Sequence, residues 1–369
     1  MAVTDKSVQH PVNRRSLLKG GLMAGGAALG AGLLSKGTPA YAEGSTLSNG
    51  DIAILQFLAA AEIIEADLWV QYAELGGIGD NLPVEVDPGQ QMNPYQLALQ
   101  NLDGDATQYI TSNTLDEISH FTFLNAYLES KGAKPVNLDK FKTLKGSTAA
   151  GSSGIGRLTN LLDLTVDTSW FTRYRSQSNP DLGGGDYPQA VVIKNRRAIP
   201  RNNADMNNPN LIQVIANTAA FHFGFIEQGG TSLYAAMAQK ASSAEVLQII
   251  LGIGGDEICH FLEWVDFAGN AVQSPVAPVT ADGLTFPNFF ASEENPLFQP
   301  SLIFPVPAAF ISEDLPLCAT VRPITKTAVS AVGAVASFTA DGLFIGQSQE
   351  FLNTLHSLAV AADRAVRTA

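Results

Sequence analysis

The sequence predicts an all-α protein: a four-helix bundle with a long crossover insertion and a partly helical C-terminal extension. Three observations predict it. Four segments repeat apolar residues at the three-and-four spacing of a helix. Two of these carry nearly the same hexapeptide, Asp116-Glu117-Ile118-Ser119-His120-Phe121 and Asp256-Glu257-Ile258-Cys259-His260-Phe261. The other two each carry a glutamate followed seven residues later by a tyrosine: Glu65 with Tyr72, and Glu227 with Tyr234.

The chain opens with Asn13-Arg14-Arg15-Ser16-Leu17-Leu18-Lys19, continues through a Gly/Ala/Leu run to Leu34, and reaches Ala40-Tyr41-Ala42. That order of basic, apolar and small-residue segments reads as an export signal over 1–42. Its paired arginines resemble a twin-arginine signal, which implies the twin-arginine export machinery as a partner and a periplasmic or secreted mature protein beginning at Glu43. The remaining chain spans two cysteines, too few for a disulfide scaffold, and has no Cys-x-x-Cys. A formal charge of −13, with no basic stripe after residue 42, excludes a general nucleic-acid binder.

The first helix is expected over 51–76, with Ile54, Leu55, Leu58, Ala61, Leu68 and Leu75 in the apolar pattern and Gly76-Gly77 as the stop. It is apolar on nearly all sides, as a helix buried in a bundle is. A loop follows over 77–93, then a second helix over about 105–131 that ends at Lys131-Gly132. Residues 132–209 turn to Gly, Ser, Pro and Asn around one apolar stretch, Leu158 to Trp170, and form the insertion. Helices over about 210–240 and 243–269 follow, with Ser242 and Glu245 in the form of a capping box between them. The bundle thus occupies 51–270, and the extension 271–369 is Pro-rich and irregular to about 323, then helical with a break near Asp341-Gly342.

Glutamate and histidine three apart on a helix project from one face. On an apolar helix such a pair is costly unless a cation compensates it, and carboxylate oxygen with imidazole nitrogen suits iron or manganese. Four helices offering Glu, Glu-x-x-His, Glu and Glu-x-x-His make a dinuclear site. Glu62 lies one turn before Glu65 on the same face; Glu65 is favoured because it has the tyrosine offset that Glu227 repeats, leaving Glu62 as a supporting or rim carboxylate. Tyr72 and Tyr234 are expected to pack and to support the carboxylates through their hydroxyls. His222 is expected to be a core histidine. Cys259 faces away from the site.

These residues resemble the ferritin-like superfamily. Glu65-Ala66-Asp67-Leu68-Trp69-Val70-Gln71-Tyr72 is similar to the first-helix ligand segment of bacterioferritins, and Asp116 to Leu138 to their second. The layout, signal and insertion resemble more closely the ferritin-like proteins of the desiccation-related and fungal stress-response type. The resemblance implies Glu65, Glu117, His120, Glu227, Glu257 and His260 as ligands of two Fe or Mn ions, with Glu117 and Glu257 as bridges. It implies redox chemistry with oxygen or peroxide, of the ferroxidase, peroxidase or oxygenase type, or alternatively a non-catalytic stress-related metal-binding or structural protein. A homo-oligomer fits the resemblance; a closed iron-storage cage does not, given the insertion and tail. Substrate is expected to enter between helices or beneath the 132–209 insertion.

Overall fold

The computed structural model describes residues 47–78, 91–173, 187–291, 305–306, 312, 314–316, 318–319 and 330–368. The export segment and most of the 77–93 loop lie outside the described residues. No helix among those described is long and apolar enough to cross a membrane.

Helix α1, Asn49–Gly76, starts two residues before the expected boundary because Ser48 caps it, its hydroxyl accepting from the Asp51 N–H at 3.0 Å. A short helix not anticipated from the sequence, α2 (Pro94–Gln100), follows; Asn93 and Gln96 form a reciprocal capping box at its start, and Pro94 occupies the first helical position. Helix α3 is Ala106–Ser130. The insertion is ordered largely by short pieces: a 3-10 turn (Asp139–Phe141), strands β1 (Leu144–Lys145) and β2 (Gly156–Arg157), which pair antiparallel, then helices α4 (Ser169–Arg173) and α5 (Asn203–Met206).

Helix α6, Pro209–Ala238, is capped by Asn208, and α7 is Ala244–Asn270. The cap of α7 is Ser243, which accepts from the Val246 N–H, and not Ser242. Ser242 is diverted because both serine N–H groups donate to the Asp51 carboxylate, at 2.9 and 3.2 Å, tying the α6–α7 turn to the start of α1. Glu245, the other half of the expected box, pairs with Lys131 at 2.9 Å instead.

Beyond the bundle, β3 (Val279–Ala281) and β4 (Leu284–Phe286) form a hairpin whose two turn residues, Asp282 and Gly283, both have positive φ, as a two-residue hairpin turn of the primed type requires. Strands β5 (Pro305–Val306) and β6 (Cys318–Ala319) also pair antiparallel. Helices α8 (Ala331–Asp341) and α9 (Gln349–Asp363) close the chain, separated at Gly342, whose φ of 94° ends α8.

Helix α1 packs along α3, and α6 along α7; α9 lies on α1, and α8 reaches α6. The two helices of the extension are therefore part of the folded body. Asp363 at the end of α9 accepts from the Ala331 and Val332 N–H groups, both at 2.9 Å, and so caps α8. Asp341 at the other end of α8 binds His222 Nε2 at 3.0 Å, and His222 Nδ1 meets the Tyr72 hydroxyl at 2.7 Å. All three side chains are buried.

The insertion is anchored to α1 by two buried carboxylates. Asp67 accepts from the N–H groups of Leu158 and Thr159 at 3.0 and 2.9 Å, and Glu74 pairs with Arg157. Trp170 lies flush on α6 because residue 224 is glycine; a Cβ there would stand 2.3 Å from the indole.

Two apolar clusters make the core. One gathers Trp69, Tyr72, Ile110, Phe223, Trp264 and their neighbours; the other gathers Leu55, Leu58, Leu124, Met237 and Ile250. Along each long helix the switch between clusters falls at the acidic residues: between Leu58 and Trp69, Ile110 and Leu124, Phe223 and Met237, Ile250 and Trp264. A polar layer thus crosses the bundle at half height.

Candidate metal centre

The layer contains Glu62, Glu65, Glu117, His120, Glu227, Glu257 and His260, all buried. Their ligand atoms converge in two groups. Glu62, Glu117, His120 and Glu257 form one, and Glu117, Glu227 and His260 the other, each with its atoms within 4.8 Å of one another. Glu117 belongs to both.

The histidines are arranged alike. His120 Nδ1 lies 3.2 Å from Glu62 Oε2 and from Glu117 Oε2, and 3.8 Å from Glu257 Oε1. His260 Nδ1 lies 3.1 Å from Glu117 Oε1 and 3.4 Å from Glu227 Oε2. The outer nitrogens lean on aspartates exchanged between the repeats: His120 Nε2 on Asp256 at 3.1 Å, and His260 Nε2 on Asp116 at 3.4 Å. A carboxylate on one ring nitrogen fixes the proton there and leaves the other lone pair for a cation. These aspartates are half-exposed and, with His260, form a third converging group at the α3–α7 face.

Glu62, not Glu65, supplies the α1 atom of the converging groups; among the described residues no such group includes Glu65. Seven residues rise roughly 10.5 Å along a helix, so a tyrosine does not serve the glutamate of its own helix. Tyr234 reaches across the bundle and donates to Glu62, while Tyr72 turns to His222. Glu65 remains in the layer, close enough that the charges of Glu62, Glu117 and Glu227 bear on it.

Two further residues are absent from the sequence-based set. Asn113, one turn before Glu117, donates to Glu117 Oε1 at 2.9 Å and Glu227 Oε1 at 3.2 Å, and its oxygen accepts from the Trp264 indole at 2.7 Å. That indole bond fixes the amide's orientation, with its nitrogen toward the carboxylates. Gly230 lets the Glu257 carboxylate lie against α6; a Cβ there would stand 1.9 Å from Glu257 Oε2. The repeated Asp116 and Asp256 were visible in the hexapeptide, whereas Asn113 has Ile253 at the equivalent place and no repeat marks it. Cys259 is exposed.

Concentrated carboxylates in a buried layer resist ionisation. Burial, then the charge of Glu62, pushes the Glu117 carboxyl up to about 7 despite its bonds to both histidines. Burial and neighbouring carboxylates likewise hold Glu65 and Glu257 well above the usual range. Burial would by itself depress the histidines, but hydrogen bonds and charge from the surrounding carboxylates outweigh it and raise both. Both Glu257 oxygens and Glu227 Oε2 are buried without a hydrogen-bond partner. Such orphaned acceptors are rare and costly, and they fit a cation at this place. The set of carboxylate oxygens and two imidazoles around a shared Glu117 therefore suits metal ions.

The profile of the ferritin-like domain family matches residues 50–268, from α1 to the end of α7. The chain belongs to the ferritin-like domain family. No curated protein and no solved structure matches it significantly. The ferritin-like match covers all four helices of the carboxylate layer and stops before the C-terminal extension that carries α8 and α9.

Proposed function

We propose that this ferritin-like protein holds a dinuclear iron or manganese centre and reacts with oxygen or peroxide after export. The observation that carries the reading is the pair of converging groups joined at Glu117, with buried carboxylate oxygens of Glu227 and Glu257 that accept no hydrogen bond. Glu62, Glu117, His120 and Glu257 would hold one ion, and Glu117, Glu227 and His260 the other. Glu65 stands beside them as a carboxylate free to replace a partner. Iron or manganese would supply the one-electron redox steps of the reaction. The protein's own part is to orient the imidazoles through Asp116 and Asp256, to fix Glu62 through Tyr234 and to exclude water with two apolar clusters. Six to seven intact donors favour turnover over a purely structural bundle.

Metal analysis of protein isolated from the exported fraction should find two ions per chain, and the loaded protein should consume oxygen or peroxide. A single ion per chain would sink the dinuclear reading, and zinc alone, which has no redox couple, would sink the redox reading. Localisation has its own test. Arg14→Lys with Arg15→Lys should leave the precursor inside the cell, and normal export of that variant would remove the twin-arginine assignment.

A further inference from the structure

Tyr72, His222 and Asp341 form a line of three buried side chains outside the converging ligand groups. They come from α1, α6 and α8, and Asp341 lies beyond the stretch that the ferritin-like profile matches. An ionised Asp341 can only accept, so His222 Nε2 carries the ring proton toward it at 3.0 Å, and Nδ1 keeps the lone pair that takes the Tyr72 O–H at 2.7 Å. Asp341 Oδ1 is buried with no hydrogen-bond partner, which leaves uncompensated negative charge beside the imidazole. A second proton on that ring would neutralise it.

The other side of Tyr72 leads back to the carboxylate layer through aromatic rings. Its ring centroid lies 5.7 Å from that of Trp69, and Trp69 stacks on Trp264 at 5.3 Å. The Trp264 indole N–H donates to Asn113, whose amide donates to Glu117 and Glu227. Electrons pass readily between rings this close. An oxidised ring is held longest where it can shed its proton, and the three rings differ in that respect. Trp69 Nε1 is buried with no acceptor, and Trp264 Nε1 faces an amide oxygen, which is not a base. Of the three, Tyr72 faces an imidazole lone pair.

We propose that Tyr72 is a one-electron redox site that the carboxylate layer oxidises through Trp264 and Trp69. Tyr72 loses one electron and its hydroxyl proton passes to His222 Nδ1; the O–H bond breaks, an N–H bond forms, and the imidazolium faces Asp341. The electron reduces by one unit an iron or manganese ion in the layer that peroxide has oxidised. An oxidising equivalent thereby leaves the ligands for a phenol that α8 supports through His222. The inference rests on the dinuclear reading for its oxidant, but the relay itself is tested without metal.

Flash photoionisation of the indoles in the metal-free full chain should show indolyl radical absorption decaying into tyrosyl absorption. Tyr72→Phe should lower the tyrosyl yield at least tenfold. His222→Gln and Asp341→Asn should each slow its formation at least tenfold with helical content unchanged, and each guards against a folding failure of the other. Tyr109, whose ring meets Trp264 edge-on at 6.5 Å, is the competing donor, and Tyr109→Phe should leave the yield as it is. In the iron- or manganese-loaded protein, peroxide should give a tyrosyl paramagnetic resonance signal that Tyr72→Phe removes at wild-type metal content. A tyrosyl yield that survives Tyr72→Phe, or a loaded protein without that signal, would overturn the proposal. A working relay in a protein that takes up no metal would keep Tyr72 as a redox site and remove the dinuclear reading, and with it the layer as the oxidant.

Discussion

Glu117→Gln is expected to cost the protein both ions and, in the metal-free state, to make it more stable. Glu117 is the residue common to the two ligand groups, so this one change removes a ligand from both. Loss of a residue that merely supports a ligand lowers metal affinity by about 10–100-fold, and a ligand shared by two ions should cost at least about 100-fold for each. The stability effect has a definite sign. The carboxyl titrates at about 7 in the folded protein against 4.5 as the ordinary value. Its proton therefore stabilises the fold fully below about pH 4.5, and that contribution is lost as pH rises through 7. Above pH 7 the wild-type protein without metal should be about 3 kcal/mol worse off than the glutamine variant, and near pH 4 the two should coincide. Denaturant titrations of chelator-treated protein at pH 4, 6 and 8 read this directly. A variant less stable than wild type at pH 8 would show that the layer is not under charge stress.

Two adjacent glycines should behave in opposite ways. Gly230→Ala puts a methyl group 1.9 Å from Glu257 Oε2 and 2.8 Å from its Cδ, and the carboxylate has to leave. The change should lower affinity at the Glu62–Glu117–His120–Glu257 group by about 100-fold, at a packing cost of about 1–3 kcal/mol, with every ligand still present in the sequence. Gly229→Ala, where the added carbon has open space, should instead stabilise the helix by roughly 0.5–1 kcal/mol. Calorimetric titration with manganese and thermal melts of the two variants provide the comparison. Equal affinities would show that Glu257 is not held against α6.

The parts of this site that could be read in advance are those the chain states twice. Each Glu-x-x-His places its side chains on one face by helix geometry alone, and Glu117, His120, Glu257 and His260 do meet in the layer. Which of Glu62 and Glu65 converges with the other side chains could not be read from α1 alone, because it depends on how α1 is rotated against α3 and α6, a property of packing across the bundle and not of any one helix. Asn113 and Trp264 have no counterpart in the other repeat and look like ordinary helix residues until the indole is seen to orient the amide. The irregular chain was harder still. The short α2 depends on Asn93 and Gln96 closing a capping box, and the hold of the insertion on α1 depends on Asp67 accepting backbone N–H groups some ninety residues away. No local pattern announces either.

The exchange of aspartates between the two repeats bears on how the bundle comes together. The pair α1–α3 owns Glu62, Glu117 and His120 but lacks Glu257 and the Asp256 that orients its histidine; the pair α6–α7 lacks Glu117 and Asp116 in the same way. Neither hairpin can complete a coordination set alone. A cation therefore recognises only the docked pair, and whatever affinity it has is returned as cohesion between two hairpins whose sequences are separated by the entire insertion. Metal uptake would thus double as a signal that the two halves of the bundle have found each other.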